Sequence, residues 1–336
     1  MAAVAARAGV SHQTVSRVIN AHPSVAPRTR ERVQRAIAEL GYRPNVAARA
    51  LVTGSTRTIG LVTVNINQYG PAQTMLGLEK AARAAGYALS VTILDEATAE
   101  AVREAVETFV AQSVDGVVAL STYDDAAEAV SAIEAPVPLV AVQAGAAQDR
   151  PAVGVDQVAG ARLATRHLLD LGHRTAHHIG GPADSQEARG RIQGWRTELA
   201  AAGAAVPRYP IGDWTAESGH AAGRVLVERR RAGERMTAIF AANDQMALGL
   251  LAALHEAEVA VPRDVSVVGF DDLPEAPYFV PPLTTVRQDF AELGRRGVQL
   301  LLGRLAGEDP QSEAVMPDLV VRASTAPARP TQGGQV

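Results

Sequence analysis

From Thr58 onward the chain repeats one pattern, a short β-branched run followed by an Ala/Leu-rich stretch of helical period. The runs occupy 58–66, 87–94, 114–121, 138–142, 175–180, 238–242 and 265–270. Such alternation leaves room for crossover helices, so it predicts parallel sheets covered by helices on both faces. With 47% apolar residues but only 4% aromatics, the cores must be built mainly from Ala, Val and Leu. Residues 152–160 and 281–288 read as crossings between two sheets. A helix expected over 289–305 and a late strand over 315–324 have to rejoin strands laid down earlier. Ligands of such sheets bind outside the carboxyl ends of the strands. Asn65, Gln143, Asn243 and Asp271 each follow directly on an apolar run. Each is a candidate ligand group, and each is equally able to cap the next helix.

The first 58 residues are built differently. A helix over 3–8 with Val4, Ala5 and Ala8 inward is followed by Gly9, which supplies a positive-φ stop. Ser11 can cap a second helix in which Val15, Val18 and Ile19 share one face. His12, Gln13, Ser16, Arg17 and Asn20 are left facing outward. Amides and an Arg near the start of a short helix suit base edges in a DNA major groove. The local pattern also fits an ordinary amphipathic surface helix. The stretch from Ser24 to Pro27 reads as a cap with a first-turn proline. The third helix runs to Leu40, burying Val33, Ala36, Ile37 and Leu40, and ends at Gly41 before Pro44. A segment over 45–53, opened by Asn45, favours helix but is too short to be stable alone. It reads as a hinge or as a plain linker.

Charge separates the two parts. Residues 1–58 hold nine arginines against two glutamates, a net of +7, which leaves 23 basic and 34 acidic residues, a net of −11, in the remainder. A basic head on an acidic body suggests a head that meets phosphates. The absence of cysteine excludes disulfides and thiolate chemistry and fits a cytoplasmic protein. No run approaches the ~20 apolar residues of a membrane helix, and no signal segment opens the chain. No phosphate loop, nucleophile elbow or metal-ligand cluster appears, so no catalytic residue, cofactor or metal is expected. His177 and His178 are adjacent in a predicted strand and point to opposite faces, which disfavours shared ligation.

Blocks in the sequence carry a further signal: GVSHQTVSRVINA (9–21), TRERVQRAIAELGYRPNVAARAL (29–51), HLLDLGH (167–173), ARGRIQGW (188–195), GDWTAESG (212–219), ANDQMALG (242–249), DVSVVGFDD (264–272) and PPLTTVRQDFAELG (281–294). In this order they resemble the LacI/GalR family of bacterial repressors, from residue 3 to about 323. The resemblance implies an all-α helix-turn-helix headpiece (1–44), a hinge helix and linker (45–57) and an α/β core (58–325). That core would be two Rossmann-like parallel-sheet subdomains, as in periplasmic binding proteins. The first subdomain would take about 58–155 and 288–310, the second about 156–284 and 311–325. The tail 326–336, rich in Pro, Gly and Gln, reads as disordered.

The resemblance also implies roles. His12, Gln13 and Arg17 fall at base-reading positions, with Ser16 beside them. Asn20, Ser24, Arg28 and Thr29 match phosphate-contacting positions. Asn45 opens the hinge helix, and Leu51 matches a leucine that wedges into the minor groove. Arg191, Asn243 and Asp271 match groups that hydrogen-bond sugar hydroxyls. Trp214 matches a cover for an apolar sugar face, and Gln288 and Phe290 match the floor of the site. Gln143 stands where a galactoside-responsive member has an aspartate that helps bind inducer. His12 replaces an aromatic hydroxyl, which implies a different operator. The usual N-terminal lead is absent, Ala3 stands where an acid is expected, and the tail lacks leucine heptads.

The expected protein is therefore a homodimeric repressor that binds palindromic double-stranded DNA and releases it when a sugar, such as a galactoside, occupies the cleft. Two alternatives remain at this stage. One is a solute-binding protein for sugar transport, which the basic head disfavours. The other is a repressor strengthened by a purine-like corepressor.

Overall fold

The computed structural model describes residues 1–19, 22–42, 54–64, 66–95, 98–120, 123–142 and 151–329. Asn20, Asn45, Leu51, Asn65, Gln143, the expected hinge over 45–53 and residues 330–336 lie outside them. The chain divides into two compact units, Met1–Arg57 and Thr58–Val336.

In the first unit three helices span Ala2–Ala8, His12–Ile19 and Pro27–Glu39. They close around Val4, Ala5, Ala8, Val15, Val18, Val33 and Ala36. Gly9 ends the first helix at φ 62°, as expected. Ser11 caps the second, its Oγ accepting from Thr14 N–H at 3.2 Å. Two expectations fail here. The cap residue of the third helix is Ala26 with no side-chain cap, and the Ser24 hydroxyl instead meets His22 Nδ1 at 2.8 Å. Leu40 follows the helix rather than closing its inner face, and it is exposed.

The second unit contains two sheets. The first has strand order β10-β5-β4-β3-β1-β2, with β1 Thr58–Val64, β2 Ala88–Leu94, β3 Gly116–Leu120, β4 Leu139–Val142, β5 Ala152–Val155 and β10 Glu313–Val315. Every pairing in it is parallel. The second has order β11-β9-β8-β7-β6, with β6 His177–Ile179, β7 Ala238–Ala241, β8 Ser266–Asp271, β9 Thr284–Arg287 and β11 Asp318–Val320. Only β11, at its edge, runs antiparallel to its neighbour β9. The interior strands β3, β4, β7 and β8 are buried along their whole length. Burial on both faces is why they read as continuous apolar runs.

The expected crossings are sharpened rather than erased. Residues 152–155 and 284–287 are strands themselves, and the chain changes sheets just after each. The late strand over 315–324 is a correction. Glu313–Val315 joins the first sheet and Asp318–Val320 the second, so the 311–325 segment is divided between them. Pro317 sits at the break and has no N–H to give to a ladder. The tail is corrected as well. Ala328 N–H donates to Leu171 O at 2.8 Å, and Ala326 O accepts from Ser266 Oγ at 3.2 Å, so the tail is held as far as Ala328 by β8 and by the end of the helix Gln157–Asp170.

The helices Ala216–Arg231 and Asp244–Glu256 touch backbone to backbone. A Cβ on Gly249 would strike Ala216 O, and one on Gly219 would strike Met246 O. Gly249→Ala is therefore expected to destabilise the second unit by about 1–3 kcal/mol, read as a lower urea midpoint at unchanged slope.

Candidate functional site

On the first unit, His12, Gln13, Arg17, Ser24 and Arg28 are exposed, and Ser16 and Thr29 are half-buried. The basic residues divide by task. Arg32 donates to Ala8 O at 2.9 Å, Arg30 to His22 O at 2.8 Å, and Arg7 pairs with Glu39 at 2.6 Å. Among the described residues Arg17, Arg28 and Arg35 have no such partner. They present unneutralised charge, which phosphates can take up.

In the second unit a cavity of about 270 Å³ opens at the carboxyl ends of strands from both sheets. The turn after β1 and the start of the helix Tyr69–Ala84, residues 67–71, form one wall. Glu187, Arg191, Asp213, Trp214, Thr215, Asn243, Gln245, Asp271 and Gln288 form the rest. Arg191 is buried and stands at its centre. Its Nε donates to Gln157 Oε1 at 2.9 Å and its Nη1 to Ala242 O at 2.6 Å. Its Nη2 lies 3.6 Å from Asp271 and 3.9 Å from Glu187. The guanidinium carbon sits 4.0 Å from the Phe270 ring centroid and 5.1 Å from that of Trp214. Gln288 Nε2 donates to Asp271 Oδ1 at 2.6 Å, and Gln157 Nε2 donates to Gln288 Oε1 at 2.9 Å. Two amides, a carboxylate and the guanidinium thus form one continuous network, which fixes the direction of every donor in it.

The backbone is bent to make this possible. Trp214 and Asp271 hold φ of 76° and 111°, and Asp272 holds 55°. Such conformations cost energy in residues with side chains and persist only when their surroundings enforce them. Asp244 enforces the one after β8. It is fully buried and accepts from Leu273 N–H at 2.8 Å and Thr285 Oγ1 at 2.6 Å. Burial pushes its carboxyl pKa well above the usual range. Gly181 leaves room for the other, because a Cβ there would collide with the indole of Trp214. Burial also raises Asp271 to about 6 and Glu187 to about 7, each partly offset by the Arg191 charge. Tyr69 is raised by burial and by the nearby Asp271.

Of the expected effector residues, Arg191, Trp214, Asn243, Asp271 and Gln288 meet in this cavity. Asn243 does two things at once. Its Oδ1 caps the next helix, accepting from Met246 N–H at 2.8 Å, while its Nδ2 donates to Trp214 O at 3.1 Å. Phe290 is a correction. It is buried in the first sheet's core, and its ring packs edge-on against Tyr69 at 5.7 Å. Tyr69, not Phe290, lines the cavity. The sequence reading missed Tyr69, Gln157, Glu187, Asp213 and Gln245. The strand-end rule that singled out Asn65 would have reached Asn67–Pro71, two residues further on. Nothing in spacing marks Gln157. The adjacent histidines diverge as expected. His177 Nε2 meets Glu234 at 3.0 Å, while His178 stacks between Trp195 and Phe240 and is held near pKa 3 by burial.

Comparison with known proteins places the two units separately. Residues 1–45 match the family described as bacterial regulatory proteins, lacI family, and 165–325 match the periplasmic binding protein-like domain. The chain is 35% identical over 330 residues to the lactose operon repressor of Escherichia coli (strain K12), covering 98% of this chain and 91% of that protein. It is 39% identical over 334 residues to the HTH-type transcriptional regulator CelR of Thermobifida fusca, covering 96% of each. Among solved structures it is similar to the lac repressor dimer bound to operator and the anti-inducer ONPF, with TM-score 0.86, 34% identity and coverage of 96% of this chain and 98% of that one. It is also similar to the CelR–cellobiose complex, with TM-score 0.72, 35% identity and the same coverage. These relatives are named as transcriptional regulators, not enzymes.

The raised carboxyls have a measurable consequence for stability. A carboxyl at about 7 in the folded protein and at its ordinary 4.5 when unfolded costs nothing below 4.5, and the full cost is present above 7. Glu187→Gln removes that cost. Its melting temperature should gain on the wild type between pH 5 and pH 8, by about 2–4 °C at the upper end. A difference that stays flat with pH would contradict the largely enclosed, ionisable carboxyl.

Proposed function

This chain belongs to the lacI family of bacterial regulatory proteins, and we propose that it is a homodimeric repressor released from operator DNA by a sugar bound around Arg191. The observation that carries this reading is the cavity at the strand ends of both sheets, on the same chain as a small helical unit whose Arg17, Arg28 and Arg35 are unpaired among the described residues. Guanidinium, carboxylate and amide groups each offer two hydrogen bonds in fixed geometry, which suits vicinal hydroxyls. The Trp214 indole on the wall suits the apolar face of a pyranose. The relatives named above include regulators solved with ONPF and with cellobiose.

His12, Gln13 and Arg17 read bases in this proposal, with Ser16 beside them. Asn20, Ser24, Arg28 and Thr29 hold phosphates. Asn45 opens a hinge helix that folds against DNA, and Leu51 inserts at the centre of the palindrome. Gln143 joins Arg191, Trp214, Asn243, Asp271 and Gln288 at the sugar, and Phe290 acts through Tyr69. A sugar touching walls from both sheets binds one arrangement of them better than the other. That differential affinity is the whole driving force of the switch. The DNA target implies action in the cytoplasm. Among the described residues no helix is long and apolar enough to cross a membrane.

Removing residues 1–57 should abolish operator retardation in a gel while leaving sugar-induced thermal shifts intact. Full-length operator affinity should fall steeply between about 50 and 200 mM salt, because each phosphate contact releases counterions. Arg191→Ala should weaken the sugar response at least tenfold. A variant that keeps full release would take Arg191 out of the site, and stabilisation by nucleobases alone would replace induction with corepression.

A further inference from the structure

The charged groups around the cavity are unequally satisfied. Asp213 is engaged within its own turn, its Oδ1 accepting from Thr215 N–H at 3.0 Å and from Thr215 Oγ1 at 2.6 Å. Asp271 is held by Gln288 and Arg191, and Arg191 by Gln157 and Ala242 O. Glu187 differs. Its side chain is only 14% exposed, Arg191 lies 3.9 Å away, and it accepts no hydrogen bond from any described residue. It is the second residue of the helix Gln186–Ala201, whose cap Ser185 accepts from Ala188 N–H instead. Among the described residues the site therefore offers one carboxylate with neither oxygen hydrogen-bonded, and its wall holds no second Arg, Lys or His.

Resting on the sugar reading, we propose that Glu187 is the specificity-determining acceptor of the cavity: it takes a hydroxyl hydrogen from an uncharged saccharide and excludes sugar phosphates and other anionic sugars. A largely enclosed carboxylate without donors is costly, and a hydroxyl delivered at hydrogen-bond distance removes most of that cost. Among the described residues, an anion entering the same space meets Glu187, Asp213 and Asp271 against the single charge of Arg191. Helix starts ordinarily attract phosphates. In this helix the position carries its own negative charge.

The groups facing Glu187 are Arg191 one turn along its own helix and Asp271 from the end of β8, with Asp213 and Tyr69 on the same cavity wall. Of these carboxyls, Glu187 at about 7 and Asp271 at about 6 titrate near neutrality. A ligand that needs an ionised Glu187 binds about tenfold more tightly at pH 8 than at pH 6, and Asp271 adds no more than about twofold.

The test is calorimetric titration of the full chain at pH 6 and pH 8. The probes are a panel of neutral mono- and disaccharides that includes cellobiose, lactose and ribose, together with glucose 6-phosphate. Wild type should bind a neutral sugar with the tenfold pH dependence and bind the phosphate far more weakly. Glu187→Gln should flatten the dependence to about twofold and narrow the gap between neutral and phosphorylated sugars by about tenfold. Glu187→Asp should keep the exclusion of phosphate, which separates loss of charge from loss of fold. The inference is overturned if wild type binds glucose 6-phosphate as well as its best neutral sugar, or if Glu187→Gln keeps the tenfold dependence. If neither protein binds any neutral saccharide, the sugar reading itself falls and this inference falls with it.

Discussion

A guanidinium cannot stay in a dry interior without partners, because an isolated buried charge is far more expensive than any single packing contact. Arg191 is buried, so the groups that neutralise it have to be in place whenever the second unit is folded. They come from different parts of the chain: Ala242 O from the end of β7, Asp271 from the end of β8, Gln157 from the first turn of the helix after β5. Phe270 and Trp214 complete the enclosure from the sides. One side chain thereby ties the strand ends together and leaves a polar cavity already shaped before any ligand arrives.

That requirement explains the odd features around it. Non-glycine residues at positive φ are unusual, yet Trp214, Asp271 and Asp272 all adopt it here. Each position aims a group at the cavity or steadies the one that does. Asp244 provides the steadying force from below, where Gly269 leaves it just enough room. The raised carboxyl pKa values have the same origin, since one cation serves several acids in little water. The wall contributed by the turn and helix start after β1 belongs to the other sheet. A ligand seated there necessarily touches both sheets, which is what a switch between two arrangements needs.

The head is organised by the opposite principle. Its helices are short and its core small, so arginine side chains are partly spent on structure, as in the reach of Arg32 to the end of the first helix. Arg17, Arg28 and Arg35 are spared that work among the described residues. A structural and an available set of arginines coexist in one basic segment, and net charge alone does not separate them.

Local chemistry determined much of this protein. The alternation of β-branched runs with helical stretches is a property of neighbouring residues, and it located most strands of both sheets. Gly9 and Ser11 set the turn of the head through their own φ preference and hydroxyl. Arg191, Trp214, Asn243, Asp271 and Gln288 were legible because they lie in blocks shared with a known family. Tertiary structure decided the rest. Pro317 split one apparent strand between two sheets, because partner choice depends on which edges are free and not on the strand's own residues. Phe290 gave its place in the cavity to Tyr69 because an apolar ring at the start of a helix is drawn to the larger apolar core. Glu187 lies one helical turn from Arg191, a spacing the sequence does carry, whereas Gln157 became a site residue only through burial beside Arg191, a long-range circumstance that no local pattern of residues encodes.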